Sequence, residues 1–413
     1  MGGLENVSLG RFHGLIGVTL LLLIGFAMSN NRRRIDWRPI VLGLALQLLF
    51  GILTLRTDIG KWLFHRGDEL SKQLLAFSDS GTSLLLASHV DGKVSSVLEN
   101  LAFRTLPTVI FFSALTSLLY HLGIMQLVVK AFAWVMVRTM GTSGAESLSC
   151  SADIFVGSTE APLLVRPFLP TMTKSELLAI MSAGYATIAG GVMMVYIAML
   201  QNDIPDIAGH LLTASVMNAP AALVFAKLIY PEEGEPVTRG TLQVPIERTS
   251  VNIFEAIANG ASDGLKLTAN IAAMLLAFTA LVAMANAALG LAGLSFEFLL
   301  GIPFRPIAWA LGATGEDTEV LATLLGKKTA LNEFLAYQDM TKVVGQISPR
   351  TAIIASYALC GFANFASIGI QIGGLGTLAP ERKRDVAELS LRAMIAGGMA
   401  SCLSGAVAGM LVG

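Results

Sequence analysis

Long apolar runs separated by short polar loops dominate the chain, with two polar interruptions that break the pattern. Phe12–Met28 is long enough to cross a bilayer. Arg32, Arg33 and Arg34 follow it directly, which suits a retained span with a basic loop behind it rather than a cleaved leader. Pro39–Leu55 crosses back. Arg56–Ser96 mixes Asp58, Lys61, Arg66, Asp68 and Glu69 with leucines, as interfacial or scaffold helices do. Leu106–Met125 reads as a third span and Val128–Val137 as a shorter apolar helix in the interface. Leu177–Leu200 spans with an interruption at Thr187-Ile188-Ala189-Gly190-Gly191. Ile207–Ile229 returns to a polar loop, Pro231–Ser250, that carries Arg239 and Arg248. Phe254–Leu265 is amphipathic and Leu267–Leu294 is an unbroken span. Ala352–Gly376 is a span interrupted at Cys360–Ser367, and Leu389–Val412 is the last, preceded by Arg382, Lys383 and Arg384.

The interruptions are Gly141–Phe168 and Ile302–Val344, too polar and too rich in glycine and proline to be simple spans. Each reads as a re-entrant helical hairpin, with tips near Gly157–Pro162 and at Lys327–Glu333. Broken backbone at membrane depth is tolerated where protein or a water-filled cavity satisfies it, and carboxylates at that depth mark substrate or ion paths. Each hairpin has a glutamate at its tip and is followed by an interrupted span. Two such units of opposite orientation make an inverted repeat, the arrangement of secondary transporters. With Arg32–Arg34 inside, eight alternating spans put Arg239 and Arg382–Arg384 inside and both termini outside. The fold class expected is therefore an all-α integral membrane protein with eight transmembrane helices, two oppositely oriented re-entrant hairpins and an inverted repeat. Its units are residues 1–140 (spans and scaffold helices), 141–229 (first transport repeat), 230–294 (loop, amphipathic helix and scaffold span) and 295–413 (second transport repeat).

Composition narrows the chemistry. The 413 residues are 54% hydrophobic and 14% charged, about half the charge of an ordinary soluble domain. A net charge of −1 argues against nucleic acid binding, which normally needs a basic face. Cys150, Cys360 and Cys402 lie in apolar segments without paired spacing and read as small buried hydrophobes. No phosphate-cradling Gly-x-x-x-x-Gly-Lys loop and no His-Glu-x-x-His zinc motif occurs, so the chain is not read as an enzyme, and active transport would draw on an ion gradient. A channel or gate of the same fold remains an alternative.

The polar residues then group. Ser158, Thr159 and Glu160 follow Gly157 at the first tip, and Glu160 could instead pair with a nearby basic residue. Asn332 and Glu333 are the equivalent pair at the second tip, where Lys327 and Lys328 could pair with Glu333 or face solvent at a cavity mouth. Asn364 and Ser367 are three apart and share a helix face. Thr187 with Gly190 and Gly191 suits an unwound stretch whose carbonyls bind a cation, and Asp153, four residues before Gly157, could bind a cation or a proton.

Four segments together resemble the concentrative nucleoside transporter family: Gly157-Ser158-Thr159-Glu160-Ala161-Pro162-Leu163, Thr187-Ile188-Ala189-Gly190-Gly191-Val192, Asn332-Glu333-Phe334, and Gly361-Phe362-Ala363-Asn364-Phe365-Ala366-Ser367-Ile368. The likeness runs from about Thr105 to the C-terminus. It implies a homotrimer in a bacterial inner membrane, each subunit importing a nucleoside by an elevator movement coupled to Na⁺. It also implies that Glu333, Asn364 and Ser367 bind ribose hydroxyls, that Ser158, Thr159 and Glu160 face the base, and that Val192 and Phe362 make apolar contact. Na⁺ would sit at Asp153, Thr187 and the Val156 and Ile188 carbonyls. Two departures bear on this. Ser158 stands where the family usually has Gln, which enlarges the base pocket and admits a modified nucleoside. Asp153 stands where sodium-coupled members carry Asn, which suits Na⁺ or, alternatively, H⁺.

Overall fold

The computed structural model describes residues 2–86, 103, 106–240 and 250–412, with side chains from His13 onward. Residues 87–96 of the expected amphipathic stretch, Thr105 and Arg248 lie outside the described residues. The described residues are helical throughout, save loops and one isolated bridge between Ser143 and Arg239. Among the described residues, five elements are long and apolar enough to cross a membrane, and a sixth is a pair bent by 77°.

The first three helices lie on the expected segments: α1 (Gly2–Ala27), which starts ten residues before the expected Phe12, α2 (Trp37–Leu55) and the amphipathic α3 (Asp58–Leu86). The expected third span does not run to Met125. It stops as α4 (Thr108–His121), because Gly123 takes a left-handed conformation (φ +82°) and the chain turns into α5 (Ile124–Met140), longer than the Val128–Val137 segment expected there.

The first hairpin rises on α6 (Gly144–Ala152), turns through Asp153–Glu160, and descends on a 3₁₀ helix, Ala161–Thr171. Eleven residues is long for that conformation. Pro167 and Pro170 remove N–H groups that an α-helix would need. Then come α7 (Lys174–Ala186), a break at Thr187–Ala189, α8 (Gly190–Leu200) and α9 (Ile207–Ile229). Gly190 and Gly191, expected in the unwound stretch, instead open α8.

Phe254–Leu265 and Leu267–Leu294, read as two segments, are one helix, α10 (Ile253–Leu289). No proline or cap separates them, and Asp263 pairs with Lys266 one turn on at 3.0 Å. Gly260 and Gly264, four apart, bring α10 against α4: a Cβ at either would meet α4 backbone at 2.6–2.7 Å. The rest of α10 shows exposed Leu276, Leu281 and Met284.

The second hairpin begins later than Ile302. A short α11 (Phe296–Gly301), a 3₁₀ turn and α12 (Arg305–Leu311) come first, and α12 packs on α1, on the first arm of the hairpin and on the last helix. Gly312 and Gly315, both at positive φ, separate α12 from the true arms, α13 (Glu316–Ala330) and α14 (Glu333–Val343). The tip is Leu331–Asn332, so Lys327 and Lys328 belong to the last turn of α13. Next are α15 (Pro349–Leu359), a break at Cys360–Asn364, α16 (Phe365–Leu378) and α17 (Lys383–Leu411). Hairpin, broken span and long helix thus occur twice in the same order, and α7, α9 and α17 pack together at the centre.

The three basic segments expected on one side do gather at one end. Asn31 donates to Glu233 at 2.8 Å, Thr173 to Glu232 at 2.9 Å, and Arg382 to the Leu169, Pro170 and Met172 carbonyls at 2.6–3.2 Å. Lys227 sits buried among them, 2.8 Å from Glu146 and 3.3 Å from Glu232. The first turns of α6 and α7 enter the same cluster through capping boxes, Ser143 with Glu146 and Thr173 with Glu176, and Ser143 Oγ donates to Glu176 at 2.5 Å.

Candidate functional site

Residues 31 apart in the chain meet where the second hairpin tip touches the second break. Asn332 and Asn364 each cap the helix that follows, accepting from Leu335 N and Ser367 N at 2.9 Å. The caps fix the first turns of α14 and α16 face to face. Glu333, in the first turn of α14, then lies buried with both carboxylate oxygens engaged: Oε1 accepts from Tyr196 Oη at 2.9 Å and Oε2 from Asn364 Nδ2 at 3.0 Å. Asn364 Oδ1 also accepts from Ser367 Oγ at 3.0 Å. Glu333, Asn364 and Ser367 therefore form one connected group, with the carboxylate at a helix N-terminus where the macrodipole favours it. Tyr196, stacked on Tyr337, was not singled out in the sequence, because α8 is otherwise an unbroken apolar run. Lys328 neither pairs with Glu333 nor faces solvent. Its Nζ donates to Ala358 O and Ser401 Oγ at 2.8 Å, while Lys327 pairs with Asp339.

The first tip rests against the first break. Gly190 N donates to Phe155 O at 3.0 Å, and Gly157 lies beside Ala189. Asp153, at the C-cap of α6, is fully buried with neither carboxylate oxygen hydrogen-bonded. Thr187 Oγ1 donates to Ala183 O at 2.9 Å, and the Val156 and Ile188 carbonyls accept no hydrogen bond among the described residues. Asp153, Val156, Thr187 and Ile188 thus lie at the first tip and the first break, with the Asp153 carboxylate buried and unpartnered. No cluster of three or more His, Cys, Asp or Glu suited to a metal ion occurs among the described residues.

The remaining predicted residues do not converge on one point. Ser158 packs on Gly184, where an added Cβ would lie 2.7 Å from its own, and Thr159 is exposed beside Gly374. Val192 is buried and Phe362 half-buried. Glu160 takes no basic partner; Gly157 N donates to it at 3.4 Å, and it lines a cavity of about 390 Å³ between the first hairpin, the first break, α4 and α10. Glu333, Asn364 and Ser367 do not line that cavity.

Asn218 of α9 ties the two breaks together. Its fully buried Nδ2 donates to Ala186 O at 2.6 Å and Cys360 O at 3.1 Å, the carbonyls at the ends of α7 and α15. Gly361 packs on Ala186 O at a distance no side chain would allow. Replacing Asn218 by Ala strands both carbonyls and is expected to cost about 1–3 kcal/mol, read as a lowered unfolding midpoint in detergent. Ser215→Ala, which removes only a 3.7 Å contact to the Cys360 thiol, is the matched control and should cost less.

Three family models match along the chain: the Na⁺ dependent nucleoside transporter N-terminus over residues 16–89, a nucleoside recognition model over 102–202, and the Na⁺ dependent nucleoside transporter C-terminus over 210–409. The Bacillus subtilis uncharacterized transporter YutK is 40% identical over 409 residues, 97% of this chain and 99% of its own. The chain belongs to the concentrative nucleoside transporter family. Human solute carrier family 28 member 3 is 43% identical over 99% of this transporter, which spans 60% of that longer protein's length. Among solved structures, CNTnw in an inward-facing substrate-bound state superposes with a TM-score of 0.89 at 35% identity, covering 97% of this chain and 98% of that one. An outward-facing CNTnw variant gives 0.90 at 36% identity, covering 97% of each. These relatives are transporters, so the family assignment gives an integral membrane transporter and not an enzyme.

Proposed function

We propose that the chain imports nucleosides across a bacterial inner membrane by ion-coupled symport, with an elevator-type movement of the hairpin-bearing body. The observation that carries this reading is the buried Glu333–Asn364–Ser367 group. A carboxylate and an amide side by side can accept and donate in pairs, as a ribose diol requires. On this reading Glu333, Asn364 and Ser367 take the sugar, with Tyr196 positioning Glu333. Ser158, Thr159 and Glu160 face the base, and Val192 and Phe362 supply apolar contact. Serine at 158 leaves room for a bulkier base.

The coupling ion is Na⁺, held by Asp153, Thr187 and the Val156 and Ile188 carbonyls. Support comes from the Na⁺ dependent family description and from a buried carboxylate that no protein donor satisfies. That second fact also favours H⁺ as an alternative, since a protonated Asp153 would tolerate the same surroundings. Asn218 joins the ion half to the sugar half, so that filling one break stiffens the other. Eight spans with the basic end cytoplasmic put both termini outside. The apolar face of α10 meets lipid or the other subunits of a homotrimer.

Uptake of a nucleoside panel into proteoliposomes, with Na⁺ and pH gradients imposed separately, tests the reading. Uphill accumulation that collapses with the Na⁺ gradient is expected. Equilibration without accumulation would indicate a channel, and accumulation under an inward acid gradient alone would move the coupling to H⁺.

A further inference from the structure

We propose that the corner between α4 and α5 holds a second nucleoside subsite, which receives the base on the stationary wall of the 390 Å³ cavity, opposite Glu160. The proposal rests on the transporter reading and adds a place for the substrate that the buried glutamate group does not provide.

Three polar atoms at this corner are buried and have no hydrogen-bond partner: Tyr120 Oη, His121 Nδ1 and Gln126 Oε1. All three residues line the cavity. They come together because the chain bends by 77° at Gly123, which sets the end of α4 against the first turn of α5. Gln126 Nε2 is already committed to the Tyr120 carbonyl at 2.5 Å, which fixes the amide and leaves its oxygen as a free acceptor. Buried polar groups without partners are costly, and most native ones are satisfied by protein, ordered water or ligand. Three at one corner of a single cavity make that corner a receptor for a polar molecule.

Size and chemistry select the molecule. The cavity lies within the range of small-molecule sites and is many times the roughly 30 Å³ share of one water. An amide oxygen, a phenol and an imidazole nitrogen offer one acceptor and two groups able to donate or accept. That set suits a base edge, which presents donors and acceptors side by side. Ser113 and Ser117 of α4 and Asn259 of α10 extend the polar lining for the sugar. Glu160, on the moving hairpin, faces the same space. A nucleoside held at the corner would thus already touch the tip that delivers it to Glu333, and occupancy of the corner precedes or follows occupancy of the buried group.

Cysteine protection tests this independently of transport. Cys150, Cys360 and Cys402 are buried, so Thr116→Cys, on the cavity wall but outside the three polar groups, gives a single reactive position for maleimide in reconstituted protein. Adenosine or uridine is expected to slow its labelling several-fold, and to do so as well when Glu333→Ala has disabled the buried group. Tyr120→Phe, nearly isosteric, should raise the KM for uptake by about two- to tenfold with kcat unchanged, the loss of one hydrogen bond to a bound base. Protection that vanishes in the Glu333→Ala background, or an unchanged KM in Tyr120→Phe, would overturn the subsite while leaving the transporter reading intact. Wild-type protein that accumulates no nucleoside under any gradient would instead remove the reading on which the subsite rests.

Discussion

Uptake of radiolabelled uridine or adenosine by Glu333→Ala is expected to fall by roughly two orders of magnitude or more at normal expression. Two donors converge on this buried carboxylate, Tyr196 Oη on one oxygen and Asn364 Nδ2 on the other. A hydrogen bond to a charged group contributes about 1.5–3 kcal/mol, and each tenfold in affinity is about 1.4 kcal/mol. Removing the carboxylate forfeits its bonds to the substrate diol. It also leaves a buried phenol and a buried amide without their acceptor. Asn364 would lose its anchor while still capping α16 through Ser367 N, so the fold of the break survives and the loss concentrates in binding. Glu333→Gln keeps the shape and one acceptor, and should fall less. Wild-type-like uptake by Glu333→Ala, with surface expression checked by blotting, would sink the assignment of the sugar site.

The features legible in the sequence were those written in local composition. Glycine and proline at Gly157–Pro162, Thr187–Gly191 and Cys360–Ser367 marked where helices would stop, and helices do stop there. Alternation of apolar runs and basic loops located α2 and α9 to within two residues at both ends and the other spans more loosely, and it brought Arg32–Arg34, the 231–239 loop and Arg382 to the same end. Geometry that depends on a partner far along the chain was not legible. Tyr196 and Asn218 sit inside apolar helices, Asn218 two residues before Pro220, and their roles appear only when Glu333, Ala186 and Cys360 arrive from elsewhere. Lys328 stayed open between Glu333 and solvent because nothing nearby in sequence reveals the carbonyl of Ala358 or the hydroxyl of Ser401. The fused α10 was not legible either: an amphipathic Phe254–Leu265 and an apolar Leu267–Leu294 read as two segments, yet Asp263 and Lys266 pair with each other on a continuous helix. One missed element was readable. Ser143-x-x-Glu146 and Thr173-x-x-Glu176 are capping-box patterns that announce the first turns of α6 and α7.

Asp153→Asn is expected to raise the Na⁺ concentration for half-maximal uptake by about tenfold or more, with maximal uptake recovered at high Na⁺. The side chain is fully buried at the end of α6 and no protein group donates to either oxygen, so nothing in the chain offsets its charge locally. An isolated buried carboxylate is far more costly than a paired one, and a bound cation would remove that cost. The nearly isosteric amide keeps one oxygen for the ion but loses the net attraction between opposite charges, which is strong where water is excluded. A charge-assisted contact of about 1.5–3 kcal/mol corresponds to roughly ten- to a hundredfold in affinity. By linkage, the same substitution should weaken the effect of Na⁺ on nucleoside affinity and of nucleoside on Na⁺ affinity by one common factor. The opposite outcome is equally definite. If wild-type uptake ignores Na⁺, follows an inward acid gradient and is lost in Asp153→Asn, then Asp153 carries a proton rather than binding sodium. The free carbonyls of Val156 and Ile188 would then only line its path.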